Sequence, residues 1–306
     1  MSRSIATVSA ALFGTALLIA IAGCGGMHHT LAPDARTAGA AASVTDPGPA
    51  GREAADAAGD GDDLEDSASF EHAIAITGPT IITAAGDYQL VQDVDVAAGD
   101  GIVIRASGVR LSLGNHWLRG PGNKLGRALV LDGCQQVSVR GGHVSHFGLG
   151  AALLGTSACS VRGLDIRGGD EPADPANGNP PQIGIMLVNS AGNRIAQDAM
   201  NGVNLGIFVR GPGSHENVIR FNHATAGQHG LLGICYNPAP DTGPGGPQHD
   251  RVSRNVLQRF GTGISASAQS TMNTFSRNDI AYYDAAYRDL NGANLFTNNT
   301  TQLLVR

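Results

Sequence analysis

The chain has 306 residues, of which 42% are hydrophobic, 5% aromatic and 15% charged, with 43 glycines, one tryptophan and a formal net charge of −6. Ten acids and two arginines between residues 25 and 75 account for the acidity, so residues 76–306, with sixteen Arg and one Lys, carry about +1. That near-neutral body lacks the basic footprint of a nucleic-acid binder, and no nucleic-acid partner is expected.

Met1 to Ser4, with one Arg, precede a run of Ala, Leu and Ile that ends in Ile21-Ala22-Gly23-Cys24, after which the composition turns polar. The run is near the lower limit for spanning a bilayer, so residues 1–23 are expected to be an export signal rather than a membrane span. Small residues directly before a Cys resemble the lipobox of bacterial lipoproteins. By that resemblance Cys24 becomes the acylated first residue of the mature chain, and the membrane is a partner through it. Gly25 in place of Asp then implies the outer membrane of a Gram-negative cell envelope. Residues 24–76 are Ala, Gly, Pro, Asp and Ser with few apolar side chains to bury, and are expected to form a disordered tether. Cys134, Cys159 and Cys235 follow, in a compartment that permits disulfides. Cys134 and Cys159 fall near the same corner of neighbouring repeats, with offsets differing by about three residues, and either pair or pack as small hydrophobes.

From residue 77 onward the chain repeats. Thr80-Ile81-Ile82-Thr83, Tyr88-Gln89-Leu90-Val91 and Val94-Asp95-Val96 read as a lid, and the cycle begins at Asp100-Gly101-Ile102-Val103-Ile104. A small residue before the first strand of each cycle stands at Gly101, Ala128, Gly150, Gly184, Gly206, Gly230, Gly263 and Ala286. A second marker, at Gly142, Asp198, Asn222, Asn255 and Asn278, precedes the next of these by 8 residues, so the two hold phase across insertions. Period-2 apolar strands, about two dozen residues per cycle and corners of Gly and Asn predict an all-β fold, a single-stranded parallel β-helix of about eight turns over residues 77–306. The inward set is Ile102, Ile104, Leu129, Leu131, Ile185, Leu187, Ile207, Val209 and Ile264 on one sheet, with Val137, Val139, Val161, Ile195, Ile219, Val252 and Phe275 on another. Asn222, Asn255, Asn278 and Asn299 mark sharp turns, where Asn tolerates the left-handed conformation and can stack in a ladder.

The opening GPTIITAAGDYQLVQDVDV, the phrase DGIVIRASGVRLSLGNHWLRG and the NxVxxN-like turns resemble the right-handed parallel β-helix repeat proteins of the pectate-lyase-like superfamily, over about residues 77–302. The resemblance specifies fold, not function, because that superfamily includes lyases, hydrolases, epimerases and adhesins. Two insertions, residues 170–182 and 237–249, flank the first sheet and are expected to wall a groove over turns four to six. Period-2 parity points Gln182, Asn204, Gln228, Met186, Phe208, Leu232, Val188 and Arg210 into it, with His229 at the bend. Of these, Gln182, Met186, Asn204, Phe208, Arg210, Gln228 and His229 are the expected ligand-binding residues: amides for hydroxyls, an aromatic for a sugar face, an Arg for a carboxylate.

Glycoside hydrolysis needs two facing carboxylates, and no groove position is acidic. Gln228-His229-Gly230 echoes one polygalacturonase motif without its acidic companions, pectate lyases of this fold cluster Asp for calcium, and Tyr282-Tyr283-Asp284 is a poor match to an epimerase site. The body is therefore expected to bind carbohydrate or another cell-envelope polymer. The alternatives are a polysaccharide lyase or epimerase with Arg210 and His229 as base and acid, and a structural or adhesive rod. No cofactor is expected, and His143 and His223, in phase but three turns apart, make no metal site. Arg140, Arg162 and Arg220 share a phase and are expected to form a stripe.

Overall fold

A computed structural model describes residues 70–122, 125–169, 180–237 and 245–305; the signal, most of the tether, Cys24 and most of both insertions lie outside the described residues. The described body is all strand, and every strand pairs in parallel with the equivalent strand of the next turn. Three columns of side chains stack one above another inside. The first sheet stacks Ile102, Leu129, Ala151, Ile185, Ile207, Ile234, Ile264 and Tyr287. The second stacks Leu111, Val139, Val161, Ile195, Ile219, Val252, Phe275 and Phe296, and the third Leu118, Val144, Ile166, Met200, Ala224, Leu257 and Ile280. At about 4.8 Å per turn, eight rungs make a rod on the order of 35 Å long. The expected parallel β-helix is therefore the fold observed, with the expected inward set in its core.

Two details differ from expectation. The opening strands are a full turn rather than a lid: Thr80–Ile82, Gly86–Leu90 and Val94–Asp95 each pair in register with the turn that follows. Ahead of them, Ile74–Ile76 pairs with Gly86–Leu90, so the body starts before residue 77. The second correction concerns the sixth turn, where Leu205 pairs with Leu232 and Ile207 with Ile234. The stacked glycine is therefore Gly233, not Gly230, and Gln228 and His229 sit in the turn ahead of the strand. Gly230-Leu231-Leu232-Gly233 offers two glycines each followed by an apolar residue, and only packing chooses between them.

Packing needs glycine there because the third sheet leans against this corner. A Cβ at Gly184 would stand 2.5 Å from the Met200 Sδ and 2.6 Å from the Gly206 carbonyl oxygen. At Gly263 it would stand 2.2 Å from the Ile280 Cγ2. All three separations are well inside contact distance.

The other corners are held by two buried side-chain ladders. In the first, the Oδ1 of Asp198, Asn222, Asn255, Asn278 and Asn299 each accepts the backbone N–H of the equivalent residue one turn earlier, at 2.8–3.0 Å. The second, which no marker of the repeat announces, runs through Asn193, Asn217, Asp250, Asn273 and Asn294 in the same way, starting from the Cys159 N–H. An Asn rung also donates: Asn255 Nδ2 bonds Asn278 Oδ1 and the Ile219 carbonyl, each at 3.0 Å. These bonds satisfy corner groups that water cannot reach.

Each ladder contains one aspartate. The second oxygen of Asp198 occupies the place of an amide N–H and has no hydrogen-bond partner among the described residues. Burial pushes its carboxyl well above the usual carboxylate range. For Asp250, burial outweighs the hydrogen bonds from Asn217 and carries the carboxyl up to about 7, with the Tyr236 hydroxyl also facing it. A donor is what the rung lacks, and the protonated acid supplies one.

Asn255→Ala, which strips four bonds from the middle of a ladder, is expected to lower unfolding free energy by about 2–4 kcal/mol in urea titrations. A carboxyl raised on folding stabilises fully below its unfolded value of 3.8, and that stabilisation is lost as pH climbs through about 7. Denaturation midpoints should therefore fall between pH 5 and pH 8.5, and Asp250→Asn should flatten that fall. An unchanged slope in Asp250→Asn would show the carboxyl to be ionised in the fold.

Candidate functional site

The outer face of the first sheet is not an open groove. Val130, Leu149, Ala152, Ile183, Met186, Leu205, Phe208, Leu232 and Cys235 form a second apolar cluster, each no more than 6% exposed, separate from the interior core. Met186 and Phe208 belong to it, so they point outward as parity required yet present no surface to a ligand. Gln182, Asn204 and Arg210 are also buried. The two amides are structural: Asn204 Oδ1 accepts the Gln182 N–H at 2.8 Å, and Asn204 Nδ2 donates to the His229 carbonyl at 3.0 Å. Gln228 and His229 are exposed. Arg210 ends the strand Leu205–Arg210, whereas His229 precedes Leu232–Asn237, whose first residue pairs with Leu205. The base and acid nominated for a lyase therefore stand at opposite ends of the sheet, roughly 17 Å apart at 3.3 Å per residue, too far to share one substrate bond.

Among the described residues a cleft lies on the third sheet, around the single tryptophan. Register places Trp117, His143 and Asp165 in one outward row over three turns, and Arg119, Ser145 and Arg167 in the row beside it. The Trp117 and His143 rings stack with centroids 4.7 Å apart and an interplanar angle of 20°. The guanidinium carbons of Arg167 and Arg119 lie 4.7 and 5.5 Å from the Trp117 ring centroid. Such contacts are attractive because the ring face is electron-rich.

Each cation is tied down in turn. Arg119 pairs with Asp93 at 2.7 Å, and Asp93 also accepts the Trp117 backbone N–H at 2.9 Å. The Trp117 N–H and then Arg119 hold the Asp93 carboxyl below its usual value. Asp165 accepts from Arg167 at 2.8 Å and meets His143 Nδ1 at 2.9 Å. Burial works against the Asp165 carboxylate, but Arg167 and His143 outweigh it and its carboxyl is lowered. His146 Nδ1 meets Ser145 Oγ at 3.0 Å.

These groups border a cleft of about 480 Å³, lined by Trp117, Arg119, Ser145, His146, Arg167 and Gln182. Gln182 is the one nominated ligand residue that lines it, and its Oε1 accepts the Gly169 N–H where the chain leaves the third sheet. Below the cleft the Arg row continues through Asn201, Thr225 and Gln258, one polar side chain per turn. The expected arginine stripe is also in register, with Arg140 beside Arg162 and Arg220 two turns on, past Ala196. Among the described residues no group of three His, Cys, Asp or Glu is arranged to hold a metal ion.

No protein-family model and no curated protein matches the sequence. Among solved structures, a double mutant of the tailspike protein of E. coli bacteriophage HK620, in complex with pentasaccharide, aligns at 11% identity and a TM-score of 0.48, covering 75% of this chain and 49% of its own. A second mutant of that tailspike, also with pentasaccharide, aligns at 11% and 0.47, covering 75% and 50%. Alginate lyase from Paenibacillus sp. str. FPU-7 aligns at 14% and 0.43, covering 71% of this chain and 90% of that one. The chain spans about half the length of the tailspikes it matches.

Proposed function

We propose that the body binds a polysaccharide along the outer face of the third sheet, with the Trp117 cleft as its principal sugar subsite, and that the protein is held at a cell-envelope membrane through Cys24. The observation that carries the reading is the clamped indole: a half-exposed ring, fixed by His143 behind and by two arginines at its faces, bordering a 480 Å³ cleft. A preorganised aromatic costs little entropy when a sugar packs against the part of it left exposed to the cleft, and Ser145, His146 and the arginines supply hydrogen bonds to hydroxyls and acidic substituents. The row Asn201, Thr225 and Gln258 supports an extended ligand, since it repeats one polar contact per turn along the rod axis. No catalytic step is assigned, because the nominated base and acid do not meet.

Trp117 is the sole tryptophan, so its emission reports binding directly. Titration with oligosaccharides from acidic and neutral envelope, algal and plant polysaccharides is expected to shift that emission for at least one class. Calorimetry with that ligand should show Trp117→Ala or Arg167→Ala weakening binding tenfold or more, about 1.4 kcal/mol, while circular dichroism is unchanged. Wild-type affinity in both variants would remove the cleft as the site. For the anchor, a metabolically supplied fatty-acid label is expected on the wild-type chain and absent from Cys24→Ser, which should move to the soluble fraction; labelling of Cys24→Ser would end that part of the reading.

A further inference from the structure

The second ladder stops at Cys159. Its N–H is the first to be accepted, by Asn193 Oδ1 at 2.9 Å, and no asparagine stands at the equivalent position of the preceding turn, which Val137 occupies. Another pair of groups meets at that upper end. Cys159 and, one turn earlier, Cys134 are both free thiols and both buried, and the Cys159 Sγ is 3.7 Å from the Cys134 carbonyl oxygen. The three-residue offset between them in the repeat does not separate them, because the corner at Gln135 and Gln136 folds Cys134 back toward the next turn, where Gln135 bridges to Ser157. Gln135, Gln136 and Ala158 around them are exposed, so the sulfurs lie one residue beneath the surface.

We infer that Cys134 and Cys159 are a disulfide site, a covalent staple between consecutive turns that takes over where the asparagine ladder ends. The Cys159 thiol donates to the Cys134 and Ser157 carbonyls, and the neighbouring Cys134 thiol draws it down to about 7, while the Cys159 thiol and burial push the Cys134 thiol up. Near neutral pH the pair therefore holds an attacking thiolate beside a protonated partner. The Cys159 thiolate attacks a disulfide oxidant, forming a mixed disulfide and releasing one oxidant thiolate. Cys134, giving up its proton, then attacks the Cys159 sulfur and expels the second. Two electrons and two protons pass from the cysteines to the oxidant, which leaves as two thiols.

Trypsin should separate residues 128–140, which carry Cys134, from 141–162, which carry Cys159, so the link is read as one cross-linked peptide pair. Full-length folded protein incubated with oxidised glutathione, then alkylated under denaturing conditions and digested, is expected to yield that pair. Its thermal midpoint should exceed that of the dithiothreitol-treated protein by about 5–10 °C, as expected for closing one turn of the coil. Cys134→Ser and Cys159→Ser should each lose this component of the reductant dependence. Recovery of both cysteines alkylated after oxidation overturns the inference, as does a cross-link from either to another cysteine, or a reductant-dependent shift undiminished in both variants.

Discussion

A coil of parallel strands must solve one problem at every turn: the backbone reverses direction at corners that are buried under the next turn, and those corners carry N–H groups that strands cannot satisfy. From Cys159 and Leu164 onward, two amide ladders solve it. An asparagine side chain accepts from the turn before and donates to the turn after, so one residue type, repeated, propagates the same geometry along the rod. Because each rung bonds its neighbours, register is set at the corners. The three columns of core side chains then fall into line, and the outer faces inherit that alignment.

The Trp117 cleft is a product of strand register on the third sheet, at the point along the coil where the first ladder begins. Trp117, His143 and Asp165 are 26 and 22 residues apart in the chain and come from three different turns, yet they are adjacent because the third sheet aligns them residue for residue. Their polarity is satisfied by neighbours one turn up, Asp93 for Arg119, or in the same strand, Asp165 for Arg167. The indole is thus held from several sides before any ligand arrives.

The fold was legible because the sequence writes its register twice, in the small residues of the first sheet and in the asparagines of one corner. Where those marks are ambiguous local pattern cannot decide: Gly230 and Gly233 both fit the repeat, and only Gly233 stacks under Gly206. The second ladder went unread because Asn193, Asn217, Asp250, Asn273 and Asn294 sit among other turn-forming residues, where an amide buried under the next turn looks like one exposed in a loop. The site was less legible still. Parity correctly turned Met186 and Phe208 outward, but period-2 arguments assign a face and not its environment, and that face is buried. Trp117 lay in plain view in the phrase used to recognise the fold; its significance depends on partners one and two turns away, which no local pattern reveals.

The molecule therefore carries two polar systems that do not compete. One is inward, in the ladders, where even a carboxyl is drawn into the role of an amide. The other is outward, on the third sheet, where arginine, histidine and tryptophan bridge turns only at the surface and take no part in the buried ladders. Between them lies a single layer of apolar side chains, Leu118, Val144, Ile166 and Met200, alternating with the site residues along each strand. A substitution on the outer rows changes what the rod presents and leaves the buried ladders intact, whereas a change in a corner asparagine one to three residues away breaks a ladder rung. That separation lets one scaffold hold a rigid ligand face, and it locates chemical specificity on the residues that the repeat itself does not constrain.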